Sequence, residues 1–211
     1  MAGNLRAAQK ESTRRLFLTT ALRLFTEKGY AATTIDDIVE AAGTARVTFY
    51  AHFPSRSDLM RTLVDELNSF RFDPADTPGE RSHRRSLITV VSEGDAEAMA
   101  GWLRMIASRW DDIGPYLKAA HDAAIVDSEL GTAVGVWLDE GRSDVVEGLG
   151  LAGRFDAATR RARADLALAL LDHVARNWTD ARWDTDREHA LQVLIETWVS
   201  LLGIPQGPAQ D

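Results

Sequence analysis

The chain has 211 residues, of which 45% are hydrophobic, with 32 acidic and 24 basic side chains, no cysteine and a formal net charge of −8. Disulfides, thiolate metal sites and a cysteine nucleophile are therefore excluded, and the length is enough for a hydrophobic core without cross-links. The polar start and the lack of an apolar run near the roughly 20 residues of a membrane span predict a cytoplasmic protein without membrane association. Taken alone, the net acidity argues against a DNA partner.

The charge is unevenly distributed along the chain. Residues 1–62 carry nine basic and six acidic side chains, a local charge of +3, whereas residues 63–211 carry 15 and 26, a charge of −11. All six tryptophans lie in the second part. This division is typical of a small nucleic-acid-binding head followed by a larger acidic body.

Apolar periodicity predicts two helices before residue 44. The first, Lys10–Lys28, has an apolar stripe on one side, and Gly29 suits the left-handed residue after a helix end. Thr34, with Asp37 three residues later, has the spacing of a capping box and begins a second helix of about two turns. Gly43 ends that helix.

Two further helices complete the predicted head. Residues Ala45–His52 form a short helix that stops before Pro54, because the residue preceding a proline avoids the α region. Ser55 and Asp58 repeat the capping spacing and begin a fourth helix. The proline- and glycine-containing stretch Asp73–Glu80 breaks the pattern and is the predicted boundary between head and body.

The body is predicted to be helical as well, which gives an all-α fold of about nine helices. Its predicted helices are Asp95–Trp110, Ile113–Val126, Asp127–Glu147, Asp156–Trp178 and Asp186–Leu202, while Ser82–Ser92 stays open between helix and loop. Residues Gly148–Gly153 match a G-x-G-x-x-G string, but that fingerprint needs a preceding strand. We therefore expect an interhelical loop there and no nucleotide site.

The last two predicted helices are each too apolar for one core. Either they belong to a deep monomer core, or a two-fold copy covers them in a four-helix interface, which is the favoured interpretation. The candidate interface residues are Leu166, Leu170, Val174, Leu191, Leu194, Ile195, Trp198 and Leu202.

Residues Thr34–Phe53 are predicted to form a helix, a tight turn and a second helix, the arrangement in which the second helix lies in a DNA major groove. The pattern across residues 10–62 resembles the N-terminal domain of the tetracycline-repressor (TetR) family of bacterial regulators. The residues that carry the resemblance are Phe17, Ala21, Leu24-Phe25, Gly29-Tyr30, Thr33-Thr34, Ile38, Ala42-Gly43, Phe49-Tyr50-Ala51-His52-Phe53, Ser55-Arg56 and Leu59. Thr44, Ala45 and Arg56 depart from the Val, Ser and Lys that are usual in this family.

The resemblance implies a helix-turn-helix DNA-binding domain over residues 1–55, extended by the connecting helix to about residue 72. Residues 73–211 would then form a ligand-binding and dimerisation domain. The function it implies is a dimeric repressor that binds a near-palindromic operator and is released by a small apolar ligand. A regulator that is constitutive or controlled by a protein partner stays open as an alternative, as does an all-α enzyme or carrier of an apolar metabolite.

The candidate DNA contacts follow from chemistry and from this resemblance. Hydroxyls and free N–H groups at the start of the second helix suit phosphates, and the first residues of the recognition helix can reach base edges. The candidates are Thr33 and Thr34 for phosphates, Arg46, Val47 and Thr48 for bases, Tyr50, His52 and Arg56 for phosphates, Arg14 and Arg15 beside the duplex, and Arg6 and Lys10 as a flexible arm. Thr34 as a mere helix cap and Arg46 as a solvated charge are the alternatives.

The resemblance also implies a small-molecule pocket in the body, although the same residues describe an ordinary core. The candidate lining is Trp102, Met105, Ile106, Trp110, Tyr116, His121, Trp137, His173, Asn177 and Trp178. Few basic side chains lie on these faces, which favours a neutral or cationic apolar ligand. No metal is expected, because the five histidines lack the i, i+4 spacing of metal ligands. No catalytic residue or cofactor is expected either, because no serine sits in a nucleophile elbow.

Overall fold

The computed structural model describes residues 2–70, 82–180 and 183–205. In these residues it has ten helices and no strand, which confirms the predicted all-α class. The helices are α1 Ala2–Lys28, α2 Ile35–Ala41, α3 Arg46–Tyr50, α4 Arg56–Phe70, α5 Ser82–Glu93, α6 Ala96–Ala107, α7 Trp110–Val126, α8 Ser128–Leu151, α9 Ala157–Asn177 and α10 Arg187–Leu201. None of the helices in the described ranges has both the length and the hydropathy needed to cross a bilayer.

The chain divides into two compact units. Unit 1 is Met1–Leu67 with Pro115–Val134, and unit 2 is Asn68–Gly114 with Gly135–Asp211. The sequence-based division at residue 73 assigns Pro115–Val134 to the body, whereas its contacts group this segment with the head. The predicted boundary Asp73–Glu80 falls entirely in the gap 71–81, outside the described residues.

The core of unit 1 forms around one face of α1. Phe17, Ala21 and Phe25 recur every four residues on this face and are fully buried. The ring of Phe49 from α3 meets Phe17 edge to face at 5.4 Å, and Phe53 lies 5.8 Å from Phe49. This aromatic cluster packs the short helix α3 against α1. A helix of five residues depends on such packing, because its own hydrogen bonds are too few to stabilise it.

Local signals set the ends of most of these helices, with two differences from the prediction. The capping box is present, since the Thr34 N–H donates to Asp37 Oδ2 at 2.8 Å and the Asp37 N–H donates to Thr34 Oγ1 at 3.1 Å. α3 is shorter than predicted, because Ala51 and His52 form a turn after Tyr50. α1 is longer, because it already begins at Ala2, so the predicted flexible arm is wrong and Arg6 lies on a helix.

Tryptophan pairs occupy the interior of unit 2. Trp102 stacks on Trp198 with ring centroids 5.9 Å apart, and Trp110 meets Trp178 edge to face at 5.0 Å. The indole Nε1 of the fully buried Trp198 donates to the carbonyl oxygen of Ala167 at 3.1 Å. α10 is therefore fixed to both α6 and α9 by one side chain.

The predicted loop at residues 148–153 is wrong, because α8 continues to Leu151. Gly148 lies within this helix, where a Cβ atom would come 2.7 Å from Val91 Cβ and 2.9 Å from the carbonyl oxygen of Ile88. Glycine is thus required at this position for the close approach of α8 and α5, and not for a turn. Residues Ser82–Ser92, for which the sequence did not distinguish helix from loop, are helical and belong to α5.

Candidate nucleic-acid interface

The helix-turn-helix consists of α2, the turn at residues 42–45 and α3. Gly43 has φ of +62°, and the Thr44 N–H donates to the carbonyl oxygen of Val39 at 2.9 Å, so the chain reverses tightly after α2. Phe49 anchors α3 inward, whereas Val47 and Tyr50 are 75% and 48% exposed. α3 therefore presents one side to the solvent while the other is fixed in the core.

Arg46 lies beside this exposed side of α3. Its Nη1 donates to both carboxylate oxygens of Asp36 at 3.0 Å, and its Cζ lies 6.0 Å from the centroid of the Tyr50 ring. Hydrogen bonding with Tyr50 and the nearby Asp36 carboxylate raise the pKa of Arg46 above its ordinary value. The guanidinium is thus held next to Tyr50 on the exposed side of α3.

The two threonines at the start of α2 have different environments. Thr33 is fully buried, and its hydroxyl donates to the carbonyl oxygen of Gly29 at 2.9 Å. Its prediction as a phosphate ligand is therefore wrong, since the side chain faces the interior. Thr34 is exposed and caps α2, and its N–H and hydroxyl both donate to Asp37 Oδ2, so its contact with a phosphate stays a prediction.

Arg56 has a structural role that the sequence did not reveal. Its Nη1 donates to the carbonyl oxygens of Tyr30, at 3.0 Å, and Thr33. Its Cζ also lies 4.2 Å from the centroid of the Tyr30 ring. Arg56 therefore ties α4 to the α1–α2 connection, and its contact with a phosphate stays a prediction.

The other candidates lie around the C-terminal end of α3. Arg14 donates from Nη2 to Thr62 Oγ1 at 3.4 Å, and its Cζ lies 5.2 Å from the centroid of the Phe53 ring. The half-buried His52 packs with its ring 5.8 Å from that of Phe17. Thr48 is half-buried, and Arg15 is exposed on α1.

Two acidic residues in the first turn of α2 were missed as parts of this site. Asp36 holds Arg46, and Asp37 accepts from Lys28 Nζ at 3.0 Å. Hydrogen bonds from Thr34 and then Lys28 hold the pKa of Asp37 well below its usual range. The capping-box spacing marks Asp37, but no spacing rule pairs residues ten positions apart across a turn, as Asp36 and Arg46 are.

Within unit 1, α4 also contacts the segment that joins α7 to α8. The Ser57 hydroxyl donates to Asp127 Oδ2 at 2.7 Å, and Arg61 Nη2 pairs with Glu129 Oε2 at 2.7 Å. Asp127 Oδ1 in turn accepts from the N–H groups of Glu129 and Leu130, so it caps α8. The Ser57 hydrogen bond is the main cause that lowers the pKa of Asp127.

The predicted pocket residues do not belong to one unit. Tyr116, which donates to Glu66 Oε2 at 3.4 Å, and His121 lie in unit 1, whereas the other eight belong to unit 2. Among those eight, Trp102, Trp110 and Trp178 are buried, Ile106 and Asn177 are half-buried, Met105 and His173 are exposed, and the side chain of Trp137 lies outside the described residues. The buried indole N–H groups of Trp102 and Trp178 have no acceptor within the described part of the chain.

The predicted interface residues also separate into two groups. The larger group is buried inside the chain, so its prediction as a contact with a second copy is wrong: Val174, Leu191, Leu194, Ile195, Trp198 and Leu202. Leu166 and Leu170 on α9 are 57% and 38% exposed, and Val193 on α10, which is not among the predicted interface residues, is 60% exposed. The wide apolar stripe of α10 thus serves the core of unit 2.

Comparison with known proteins bears on the head directly. A sequence profile described as bacterial regulatory proteins of the tetR family matches residues 17–63. The transcriptional regulator EthR of Mycolicibacterium smegmatis is 42% identical over 50 residues, which are 24% of this chain and 23% of that protein. EthR of Mycobacterium tuberculosis H37Rv is 33% identical over 128 residues, 53% of this chain and 59% of that protein.

Residues 17–63 of this chain are thus similar to the N-terminal part of tetR-family regulators. The match spans no more than about three fifths of the length of the curated relatives described above. Two solved structures of similar fold cover nearly the whole of this chain. The MbdR regulator from Azoarcus sp. CIB has a TM-score of 0.67 at 18% identity and covers 92% of this chain and 100% of its own. A tetR-family regulator from Syntrophomonas wolfei gives 0.62 at 17%, covering 95% and 99%.

Proposed function

We propose that this chain is a sequence-specific DNA-binding repressor that acts as a dimer and is released from its operator by a small apolar ligand. The observation that carries the proposal is the exposed side of α3, where Arg46, Val47 and Tyr50 project outward while Phe49 anchors the helix. The DNA-binding domain would comprise residues 1–55 with α4, and the ligand-binding and dimerisation domain residues 73–211.

The exposed side chains of α3 divide into base and phosphate contacts by their chemistry. Arg46 can donate to guanine O6 and N7, and Val47 or Thr48 can contact a thymine methyl group. Tyr50, and His52 just after α3, can donate to phosphates, which fixes register without reading sequence. The relatives named transcriptional regulators support this assignment.

For the dimer, the support is a set of apolar side chains that remain exposed on α9 and α10. Leu166 and Leu170 follow each other by one turn of α9, and Val193 lies on α10, which packs beside α9. A two-fold axis through this surface would cover all three on both copies. Two recognition helices related by that axis would read a near-palindromic operator.

For the ligand, the support is the chemistry of the interior of unit 2. Aromatic walls with a few polar groups are typical of small-molecule sites, and the buried N–H groups of Trp102 and Trp178 suit a ligand with hydrogen-bond acceptors. A ligand that binds better to a conformation unable to fit the groove would release DNA by differential affinity alone.

The DNA proposal is tested by selecting duplexes from a random pool and measuring affinity for the selected sequence by fluorescence anisotropy. Arg46→Ala and Tyr50→Ala should each weaken binding about tenfold or more while circular dichroism stays unchanged. Arg23→Ala is the matched control, because Arg23 is likewise exposed and paired with one carboxylate, Glu27, but lies on α1. Wild-type affinity in both α3 variants would refute the assignment.

The dimer proposal is tested by sedimentation velocity. Leu166→Glu combined with Leu170→Glu should convert the protein to a monomer, because two like charges would face their copies across the axis. Leu151→Glu is the control, since Leu151 is 68% exposed on α8 and outside this surface. A double variant that sediments as the wild type does would exclude this face.

The ligand proposal is tested with a compound library and two readouts. Tryptophan emission reports binding in unit 2, and operator anisotropy reports release. A compound that changes both supports ligand control, whereas an operator complex that no emission-shifting compound dissociates favours a constitutive or protein-controlled regulator. Operator binding that falls steeply with salt would exclude an enzyme or carrier with an incidental head.

A further inference from the structure

α1 carries a row of basic side chains beyond the part of the helix that packs in the core. Arg6 and Lys10 are exposed, and with the half-buried Arg14 they recur at every fourth position. At about 100° per residue, the three side chains lie within an arc of about 80°. We call these three residues the α1 basic stripe.

The α1 basic stripe continues the side of α1 that faces α3. Phe17, Ala21 and Leu24 are buried on the same arc of the helix, and Phe17 contacts Phe49 of α3. Arg14 marks the change from apolar to basic, since its guanidinium lies over Phe53, just after α3. The same side of α1 is therefore apolar where it packs on α3 and basic where it extends past it.

We propose that Arg6 and Lys10 bind phosphates of the DNA that flanks the sequence read by α3, as a rigid helical extension of the recognition domain. The inference rests on the proposed function. If α3 sits in the duplex, it lies between the DNA and α1, so the side of α1 that packs on α3 also faces the DNA. The stripe is about 12 Å long at 1.5 Å per residue, enough to follow three to four base pairs at 3.4 Å each.

The occupant proposed for this surface is DNA and not a second copy of the chain. Residues 5–15 contain four basic side chains and one acidic side chain, Glu11, a balance that suits the phosphate backbone. The exposed apolar residues of α1, Leu5 and Leu16, lie on a different side, about 80–100° from Arg6. A protein contact through α1 would bury that side and leave the stripe free.

The experiment compares two duplexes, the selected operator core alone and the same core with eight base pairs added on each side. For wild type, the flanks should tighten binding and steepen the slope of log K against log salt by about 1.8 per protomer, for two added phosphate contacts. Arg6→Ala combined with Lys10→Ala should lose this increment but keep its affinity for the core duplex. Arg23→Ala should retain both.

A second variant separates a helix from a flexible arm at constant charge. Leu5→Arg with Arg6→Ala, together with Gln9→Lys and Lys10→Ala, moves each charge by one residue and so rotates it about 100° around α1. A rigid helix loses the flank increment in this variant, as in the double alanine variant. An arm would keep it, and that result would overturn the proposal.

Equal wild-type binding to the two duplexes would also overturn the proposal. This outcome is distinct from failure of the proposed function, in which wild type would bind no selected core duplex at all. Circular dichroism of each variant must show wild-type helix content, so that loss of the increment reports the position of the charge and not melting of α1.

Discussion

The two units of the chain use their aromatic residues differently. All three tyrosines, Tyr30, Tyr50 and Tyr116, belong to unit 1, and all six tryptophans belong to unit 2. Unit 1 exposes Tyr50 beside Arg46, whereas four of the tryptophans of unit 2 form two buried ring pairs. Unit 1 thus exposes the aromatic side chain that we propose to contact DNA, whereas unit 2 buries its paired tryptophans.

Both units, by contrast, use one arginine to join helix ends. Arg56 of unit 1 donates to the carbonyl oxygens of Tyr30 and Thr33. Arg154 of unit 2 donates to those of Leu202 at 3.0 Å and Val91 at 2.7 Å, and burial lowers its pKa. A guanidinium has five donors and can satisfy carbonyls from several elements at once, which few other side chains can do.

The largest effect of a single substitution is expected in the interior of unit 2. Trp198→Ala should lower the free energy of unfolding by about 3–5 kcal/mol, because it removes a fully buried ring, its stack on Trp102 and its hydrogen bond to Ala167. Urea denaturation followed by tryptophan emission measures unit 2 selectively. Trp198→Phe should lose less, and a loss below 1 kcal/mol in the alanine variant would contradict the packing described.

A pair of glycines tests the close contact of α5 and α8 in the same unit. Gly148→Ala should destabilise unit 2 by about 1–3 kcal/mol, since its Cβ would overlap Val91. Gly101→Ala is matched to it, because Gly101 is also helical but has nothing within 4 Å of its Cβ position. That variant should gain up to about 1 kcal/mol from helix propensity. A loop at residues 148–153 would make Gly148→Ala nearly neutral and leave the gain from Gly101→Ala unchanged.

Variants of Arg56 test whether the stability of unit 1 can be changed independently of its proposed contact with DNA. Arg56→Ala should destabilise unit 1 by about 1–2 kcal/mol, as the Tyr30 and Thr33 carbonyl oxygens lose a charged donor. Hydrogen exchange of residues 29–34 should quicken. Arg56→Lys should restore a phosphate contact but not the planar stack on Tyr30. Full rescue of exchange by lysine would therefore argue for a charge role alone.

The smallest expected effect is a pH dependence of unit 1. Because the folded-state pKa of Asp37 is depressed, its contribution to stability is present above pH 4 and is lost as the pH falls below its ordinary value of 3.8. Asp37→Asn should therefore lower the melting temperature at pH 7 and reduce the further loss between pH 4 and pH 2.5. Glu40→Gln, on the same helix, is the control. An unchanged pH profile would show that Asp37 is not ionised in a bonded state.

Local patterns predicted the head better than the body. The Thr34–Asp37 capping box, the turn at Gly43 and the burial of Phe49 follow from spacings of a few residues. The site required more, since Arg56 and Asp36 acquire their roles from partners on other helices. Thr33 shows the same limit, because only the tertiary structure turns its hydroxyl toward Gly29.

Caps, apolar periodicity and composition act over short distances along the chain, so they were enough to predict the all-α class, the helix-turn-helix and the uneven charge. The long-range packing was needed to show that Gly148 is a helix contact, that Trp198 and Leu202 belong to the core, and that Leu166 is exposed. An apolar stripe indicates that one face of a helix is buried, whereas the element that packs on that face can lie far away in sequence.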